Sequence, residues 1–327
     1  MTEISAPSTE HPWLVADIGG TNARFGLVSS PGESPHDVDV LAGAEHEDLT
    51  AAVAAYLKGQ GGVRPGAACL AMAGPVDRDR YRLTNADWRG SVIDTAKALD
   101  IPHIELLNDF GALSMALPWL RPEDVTLLGG PEPAPDLVKA VLGPGTGLGV
   151  AGLVPVGGRW ISIPGEGGHV DVPAAERLEI EVVRALRAEM PGYLIAEHLI
   201  SGPGLTRLRY GLGLVQGVRV DPLPAAEIVA RTDDPLCAQT VEVFCGLLGT
   251  FTGNVALTFG AKGGVYLGGG ILPRIVDRLR SSTFRSRFEA TPNLTDYLSE
   301  IATVLIVSPT SALTGAAAWL EQRMRTA

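Results

Sequence analysis

Short apolar runs, separated by glycine-rich or polar turns, predict a mixed α/β chain built from two similar series of elements. The first series opens with strands at Trp13–Ile18, Arg24–Ser30 and Val38–Ala42. A helix is predicted at Asp48–Leu57, where apolar residues recur at helical spacing, and a continuous apolar strand at Ala67–Ala73. A meander followed by alternating helices and strands is typical of an α/β layer.

The remaining elements follow from the same patterns. The first series continues with a strand at Tyr81–Thr84, a helix from the N-cap Ser91 to Leu99, a strand at Ile104–Leu107 and a helix at Ala112–Leu117. Pro122–Pro135 is interpreted as a loop-rich connection. The second series has predicted strands at Val138–Leu142, Val150–Val154, Arg159–Ile163, Val265–Leu267 and Val304–Val307, a core helix at Pro235–Phe259 and a terminal helix at Ser311–Arg323.

Two glycine-rich turns each join two of these strands. The first is Asp17-Ile18-Gly19-Gly20-Thr21-Asn22-Ala23-Arg24, and the second is Gly143-Pro144-Gly145-Thr146-Gly147-Leu148-Gly149. Glycine lets the backbone approach a ligand, backbone N–H groups bind anions, and Thr21 and Thr146 add hydroxyl donors. A plain hairpin turn needs only one or two glycines, so both turns are interpreted as phosphate-binding.

Composition narrows the class of partner. The chain has 327 residues, is 46% hydrophobic and carries a net charge of −11, which argues against nucleic acid or an anionic membrane as a partner. Cys69, Cys237 and Cys245 form no disulfide or metal pattern and are expected to be reduced core residues. No signal peptide or uninterrupted apolar span is evident, so a cytoplasmic protein is expected.

Asn108 and Asp109 come directly after an apolar strand, where ligands of open α/β sheets bind. A carboxylate there can accept the proton of a substrate hydroxyl, and an amide can donate and accept hydrogen bonds. The alternative is that the pair only caps the next helix. These two residues alone leave both readings open.

The stretch Pro164-Gly165-Glu166-Gly167-Gly168-His169-Val170-Asp171 places a carboxylate and an imidazole among small residues. Glu166 and His169 could both bind a polyol, or the segment could be a turn with a core histidine. Glu197 by itself reads as a helical surface residue. The run Gly268–Gly270 after a strand suits either the flat face of a purine or ribose or a loose turn. Neither a P-loop nor a protein-kinase catalytic loop occurs.

Taken in order, these motifs resemble the bacterial glucokinase family. The resemblance rests on residues 17–24, Leu-Asn-Asp-Phe at 107–110, residues 143–149 and 164–171, Glu197 with Ser-Gly-Pro-Gly at 201–204, and Gly-Gly-Gly-Ile at 268–271. It implies a two-domain actin-like (ribonuclease H-like) ATPase fold, ATP with Mg²⁺ as cofactor, and D-glucose phosphorylated at its 6-hydroxyl, the first step of glycolysis. The Cys-rich zinc loop of a related sugar-kinase group is missing, which favours the zinc-free bacterial branch.

The resemblance also implies residue roles. Asp109 would be the general base, and Asp17 would position Mg²⁺ through water. The sugar-binding residues would be Asn85, Asn108, Asp109, Glu166, His169 and Glu197. The nucleotide-binding residues would be Asp17, Gly19, Gly20, Thr21, Asn22, Gly145, Thr146, Gly147, Gly268, Gly269 and Gly270.

The expected organisation is a disordered tail at 1–12, a small α/β domain at 13–110 and 311–327, and a large α/β domain at 111–310. The two glycine-rich turns are expected to face a shared cleft that closes on sugar, and a homodimer is expected from the resemblance. Three alternatives stay open at this point: a kinase for another hexose, a catalytically silent sugar sensor, and an actin-like assembly protein.

Overall fold

The structure is a computed structural model that describes residues 4–74, 79–83, 88–190, 192–231 and 233–325. The strands are β1 (Trp13–Ile18), β2 (Asn22–Val28), β3 (His36–Ala42), β4 (Ala67–Met72), β5 (Arg80–Arg82), β6 (Arg89–Ser91), β7 (Ile104–Asn108), β8 (Val125–Gly129), β9 (Lys139–Pro144), β10 (Leu148–Val156), β11 (Arg159–Gly165), β12 (Val265–Leu267) and β13 (Thr303–Ile306). The helices are α1 (Leu49–Gly59), α2 (Val92–Leu99), α3 (Asp109–Ala116), α4 (Arg177–Glu189), α5 (Gly202–Gln216), α6 (Ala225–Ala230), α7 (Pro235–Phe259), α8 (Val276–Ser281), α9 (Phe284–Glu289), α10 (Thr295–Ser299) and α11 (Ser311–Met324).

These elements form two compact units. The first comprises Met1–Arg121, Val156–Ser162 and Ser308–Ala327, and the second comprises Pro122–Pro155 and Ile163–Val307. Residues 111–121, 156–162 and 308–310, which the sequence assigned to a large domain, therefore belong to the first unit. The other predicted domain limits stay a prediction.

The first unit is a five-stranded sheet in the order β3-β2-β1-β4-β7. Strand β1 pairs antiparallel with β2 and parallel with β4, and β4 pairs parallel with β7. Successive side chains of β1 point to opposite faces of the sheet. Leu14 therefore packs in the core with α1, whereas Trp13 and Val15 pack with Leu313 of α11.

The segment before β1 is partly packed. Ile4 is 5% exposed and joins the core beneath α11, and the Trp13 indole Nε1 donates a hydrogen bond of 3.0 Å to the Ser5 carbonyl. The expectation of a frayed tail therefore does not describe Ile4 and Ser5. Apolar burial holds this segment against the core, although residues 4–12 form no helix or strand.

The second unit contains most of the six-stranded sheet β11-β10-β9-β12-β13-β8; Val156 of β10 and residues 159–162 of β11 belong to the first unit. Strand β8 lies within the segment interpreted as a loop-rich connection, so that interpretation was wrong for Val125–Gly129. It is an edge strand that pairs only with β13, and none of its five residues is fully buried. Its sequence, Val-Thr-Leu-Leu-Gly, does carry an apolar signal, but the run is short and has prolines on both sides, at Pro122 and Pro131.

Helix α7 is the centre of the core of the second unit, as its apolar stripe predicted. Val241, Phe244, Leu248 and Phe251 are each at most 2% exposed. Among the described residues, α7 is the one helix long and apolar enough to cross a membrane by length and composition. However, 78% of its most apolar window is buried inside the protein, as expected for a core helix.

Candidate functional site

The glycine-rich turn after β1 and the Asn108-Asp109 pair lie at the same edge of the first sheet. The parallel register aligns Ile18 with Met72 and Met72 with Asn108, so β1, β4 and β7 end together. Only β4 separates the other two strands, which places their ends about 10 Å apart. This is the carboxyl edge, where open α/β sheets bind ligands.

The first turn is held by backbone hydrogen bonds and exposes polar groups. The Gly19 N–H donates to the Asn22 carbonyl at 2.9 Å, and the Gly43 N–H donates to the Thr21 carbonyl at 2.8 Å. The side chains of Thr21 and Asn22 are exposed. The turn is therefore held by internal hydrogen bonds, and the Thr21 and Asn22 side chains face solvent.

Asp17 precedes this turn and pairs with Arg24 at 3.4 Å. Burial raises the pKa of the Asp17 carboxyl, and the positive charge of Arg24 opposes that shift. A partly desolvated carboxylate of this kind gains from an additional cation nearby.

Asn108 is the N-cap of α3, which begins at Asp109 and not at Ala112 as predicted. Asn108 Oδ1 accepts hydrogen bonds from the N–H groups of Phe110 (3.0 Å) and Gly111 (3.1 Å). Asp109 Oδ1 accepts from the Phe110 N–H at 2.9 Å. The capping role left open by the sequence is therefore real for Asn108, and the amide NH₂ is the donor it offers to a ligand.

The two glycine-rich turns of the second unit pack backbone against backbone. Parallel pairing aligns Leu142 of β9 with Leu267 of β12, so the turns that follow these strands leave the same sheet edge. A Cβ on Gly143 would lie 2.7 Å from the Gly268 carbonyl oxygen. Gly269 has φ +91°, and a Cβ there would lie 2.4 Å from the Pro144 oxygen. Close packing therefore restricts Gly143 and Gly269 to glycine, whether or not they also contact a ligand.

The N-terminus of α5 adjoins the second turn. Ser201 caps this helix, because its Oγ accepts from the Gly204 N–H at 3.0 Å. The Gly202 N–H donates to the Gly145 carbonyl at 2.8 Å. The Gly202 and Gly204 N–H groups are used in these bonds and Pro203 has no N–H, so this terminus offers an anion its dipole and not free N–H groups.

A cavity of about 430 Å³ opens beside this helix terminus. It is lined by Gly145, Thr146, Gly202, Pro203, Thr206, Ala225, Gly270, Ile271 and Arg274. Backbone, small apolar side chains and a few polar groups are the usual lining of a site for a flat organic ligand. A helix terminus and a glycine-rich turn at one side suit the phosphates of a nucleotide.

The segment Pro164–Asp171 presents its two polar residues to solvent. The His169 Nδ1 lies 3.6 Å from the Glu166 Oε2, and their side chains are 60% and 80% exposed. His169 is therefore not a core histidine, which removes the structural alternative for that residue. The pair remains available to a polar ligand.

Glu197 lies in a single 3₁₀ turn, Ala196–His198, and not on the surface of an α-helix. Its Oε2 accepts a hydrogen bond of 2.8 Å from the Leu148 N–H, at the end of the second glycine-rich turn. The next residue, His198, has a pKa lowered by burial and by the charge of Arg207. His198 is therefore neutral at pH 7.

Known proteins similar to this chain point to one family. The glucokinase family model matches residues 14–323. A glucokinase of Saccharophagus degradans is 44% identical over 319 residues, which cover 95% of this chain and 99% of that protein.

The chain belongs to the glucokinase family.

Solved structures of this family and its neighbours have the same fold. The crystal structure of glucokinase from an Antarctic psychrotroph has a TM-score of 0.86 and 35% identity, covering 95% of this chain and 99% of that one. A ROK family glucokinase from Streptomyces griseus, solved with glucose and AMPPNP, has a TM-score of 0.63 at 20% identity, covering 94% and 98%. The actin-like ATPase fold predicted from the sequence is thereby confirmed.

Within this glucokinase-family chain, the predicted residues form one group in each unit. In the first unit, Asp17, Gly19, Gly20, Thr21, Asn22, Asn108 and Asp109 lie at the carboxyl edge of the sheet. The second unit brings together four predicted parts of the site: the turns at 145–147 and 268–270, the 164–171 segment and Glu197. Asn85 lies outside the described residues. Roles for all of these residues stay predictions.

Sequence reasoning missed Arg274 and Thr206, which line the cavity. A signal for Arg274 was present, since it is a cation four positions after Gly270, the last glycine of that turn. Thr206 carried no such signal, because it lies in the middle of a helical pattern.

Proposed function

We propose that this protein is an ATP-dependent glucokinase that transfers the γ-phosphoryl group of ATP to the 6-hydroxyl of D-glucose, giving glucose 6-phosphate and ADP. Family membership over nearly the whole chain supports the reaction class. The observation that carries the proposal lies within the second unit. The Glu197 carboxylate, near the exposed Glu166–His169 pair, directly contacts the glycine-rich turn at 143–149, which suits phosphate.

In the first unit, Asp109 acts as the general base. Its carboxylate accepts the proton of the 6-hydroxyl as that oxygen attacks the γ-phosphorus in line. The Phe110 N–H that donates to Oδ1 stabilises the carboxylate and fixes its position. The amide NH₂ of Asn108 donates a hydrogen bond to a neighbouring sugar hydroxyl.

In the second unit, Glu166, His169 and Glu197 hold sugar hydroxyls. Carboxylates accept from hydroxyls, and a histidine can donate or accept, so the set suits a polyol. Phosphoryl transfer depends mainly on such positioning and on charge stabilisation.

ATP is proposed to bind with its base and ribose in the 430 Å³ cavity beside α5 and with its phosphates at the glycine-rich turns. Neither turn contains a lysine, so backbone N–H groups, Thr21 and Thr146 carry the phosphate contacts. The N-terminus of α5 adds a favourable dipole.

Mg²⁺ fits the residues that are present. Among the residues the structure describes, no cluster of three or more His, Cys, Asp or Glu side chains could hold a metal by itself. Mg²⁺ in kinases needs no such cluster, because it keeps several waters and uses substrate phosphates with one or two carboxylates. Asp17 would hold the ion through water, and the ion would neutralise phosphate charge.

A panel of sugars with ATP and Mg²⁺, scored for ADP release, tests the proposal. We expect glucose to be the best acceptor and the product to be glucose 6-phosphate. A better rate with mannose or an amino sugar would favour the other-hexose alternative, and no sugar-dependent ADP release would favour a silent sensor. The cytoplasmic location, the homodimer and the lack of nucleic-acid or membrane partners stay predictions.

A further inference from the structure

Leu148 is the residue at which three parts of the second unit meet. Its N–H donates to Glu197 Oε2 at 2.8 Å. On the other side, a Cβ placed on Gly168 would lie 2.2 Å from the Leu148 carbonyl oxygen, so the 164–171 segment packs directly against it. Leu148 itself is 4% exposed and is the first residue of β10, immediately after the 145–147 turn. Leu148 therefore contacts both the Glu197 side chain and the 164–171 segment at the end of the 145–147 turn.

Gly147 makes the contact with Glu197 tighter. A Cβ on Gly147 would lie 2.5 Å from Glu197 Oε2 and 3.1 Å from its Cδ. The φ angle of Gly147 is not in the left-handed region, so the backbone of the turn does not itself require glycine. A Cβ at this position would instead have to displace the Glu197 carboxylate, which is the end of a flexible side chain. The turn and this side chain therefore fit together with no spare volume.

We propose that Glu197 is a positioning residue for the phosphate-binding turn and couples sugar binding to nucleotide binding through this one carboxylate. The inference rests on the proposed function, in which Glu197 binds a sugar hydroxyl. Oε2 holds the Leu148 N–H, and Oε1 is the oxygen for the sugar. A sugar that fixes the carboxylate also fixes the 145–147 turn. By thermodynamic linkage, nucleotide on the turn strengthens sugar binding by the same factor.

The test measures ADP affinity by calorimetry with Mg²⁺ and without sugar. Glu197→Ala removes the acceptor for the Leu148 N–H, and we expect ADP affinity to fall about tenfold, as for a hydrogen bond to a charged group. Glu197→Gln keeps an oxygen acceptor and should stay within about threefold of wild type. Far-UV circular dichroism checks that each variant is folded.

Glu166→Ala is the matched control, because it removes a second proposed sugar carboxylate whose described contact is with His169 and not with the turn. It should weaken glucose binding but leave ADP affinity without sugar unchanged within about twofold. Equal ADP affinities in Glu197→Ala and Glu166→Ala would overturn the inference. A glutamine variant as weak as the alanine variant would also overturn it, because the contact would then not be this hydrogen bond.

A second pair of variants approaches the same contact from the turn. Gly147→Ala displaces the Glu197 carboxylate, so glucose affinity measured without nucleotide should fall by about fivefold or more. A Cβ on Gly145 would meet no atom within 4 Å, so Gly145→Ala should bind glucose within about twofold of wild type when nucleotide is absent. Equal glucose affinities in the two variants would contradict the coupling.

Failure of the proposed function gives a different result. Wild-type protein that binds ADP but does not phosphorylate glucose would remove the glucokinase activity. The ADP comparison between Glu197→Ala and Glu166→Ala would still report on the contact with Leu148, because no sugar and no turnover enter that measurement.

Discussion

Gly269 lies where the turn after β12 contacts the turn after β9, and replacing it with alanine perturbs both that contact and the local backbone conformation. Its φ of +91° is in the region that L-residues avoid, and a Cβ would lie 2.4 Å from the Pro144 oxygen and 3.0 Å from its carbonyl carbon. The left-handed conformation costs alanine roughly 1–2 kcal/mol. Forcing the two backbones apart adds roughly 1–3 kcal/mol. We expect Gly269→Ala to lower the free energy of unfolding by about 2–5 kcal/mol.

Urea denaturation measures this change, and the choice of probe matters. All five tryptophans, at positions 13, 88, 119, 160 and 319, lie in the first unit. Their fluorescence therefore reports on the first unit, whereas far-UV circular dichroism also reports on the helices of the second. With an m-value of about 2 kcal/mol/M, we expect the circular dichroism midpoint to fall by about 1–2.5 M. The tryptophan midpoint should move less.

Gly270→Ala is the matched control at the adjacent position. A Cβ there would meet no atom within 4 Å, and its φ is outside the left-handed region. Alanine should leave the free energy of unfolding unchanged or raise it by up to about 1 kcal/mol, because it reduces the conformational entropy of the unfolded chain. If Gly269→Ala and Gly270→Ala unfold at the same urea concentration, the close approach of the two turns is refuted.

Two further predictions concern charged groups in the core of the second unit. Arg287→Met should lower the free energy of unfolding by about 3 kcal/mol, because it leaves the Glu179 carboxylate buried without its cation. That carboxylate is 4% exposed and lies 3.0 Å from Arg287 Nη2. A Glu179→Gln,Arg287→Met double variant that recovers none of this loss in urea denaturation would contradict the prediction. Burial lowers the pKa of Lys139 from 10.5 to about 8. Between pH 8 and 10.5 the unfolded chain therefore binds more protons than the folded protein, so the free energy of unfolding of the wild type should rise with pH in this range relative to that of Lys139→Met. A stability difference between these two proteins that is constant from pH 8 to 10.5 would rule out a lowered pKa.

Elements with strong periodicity could be predicted from the sequence, and contacts between distant residues could not. The apolar stripe of α7 and the cap of α2, where Ser91 Oγ accepts from the Asp94 N–H at 3.2 Å, follow from neighbours a few positions apart. Strand β8 was missed because its short apolar run, Val125–Gly129, lies among prolines that are typical of a loop.

In the candidate site, too, local features could be predicted from the sequence and long-range contacts could not. The glycine-rich turns and the Asp109 and Glu166 positions follow from local composition. The hydrogen bond of Glu197 to Leu148 spans 49 residues of sequence, so no local pattern carries it. Likewise, the density of glycines predicted ligand contact. At Gly143 and Gly269, however, glycine is also needed because two backbones pack closely, and that packing arises from the register of the sheet.

The central claim is that Asp109 is the base of a glucose kinase, and Asp109→Asn tests it most directly. An asparagine oxygen can still accept the Phe110 N–H that Asp109 Oδ1 accepts at 2.9 Å, so the start of α3 should persist. The measurement is kcat for glucose-dependent formation of ADP and glucose 6-phosphate, with glucose affinity determined separately. We predict that kcat falls about 10²–10⁴-fold while glucose affinity changes little. A variant that folds, binds glucose and turns over within a few-fold of wild type would contradict the account.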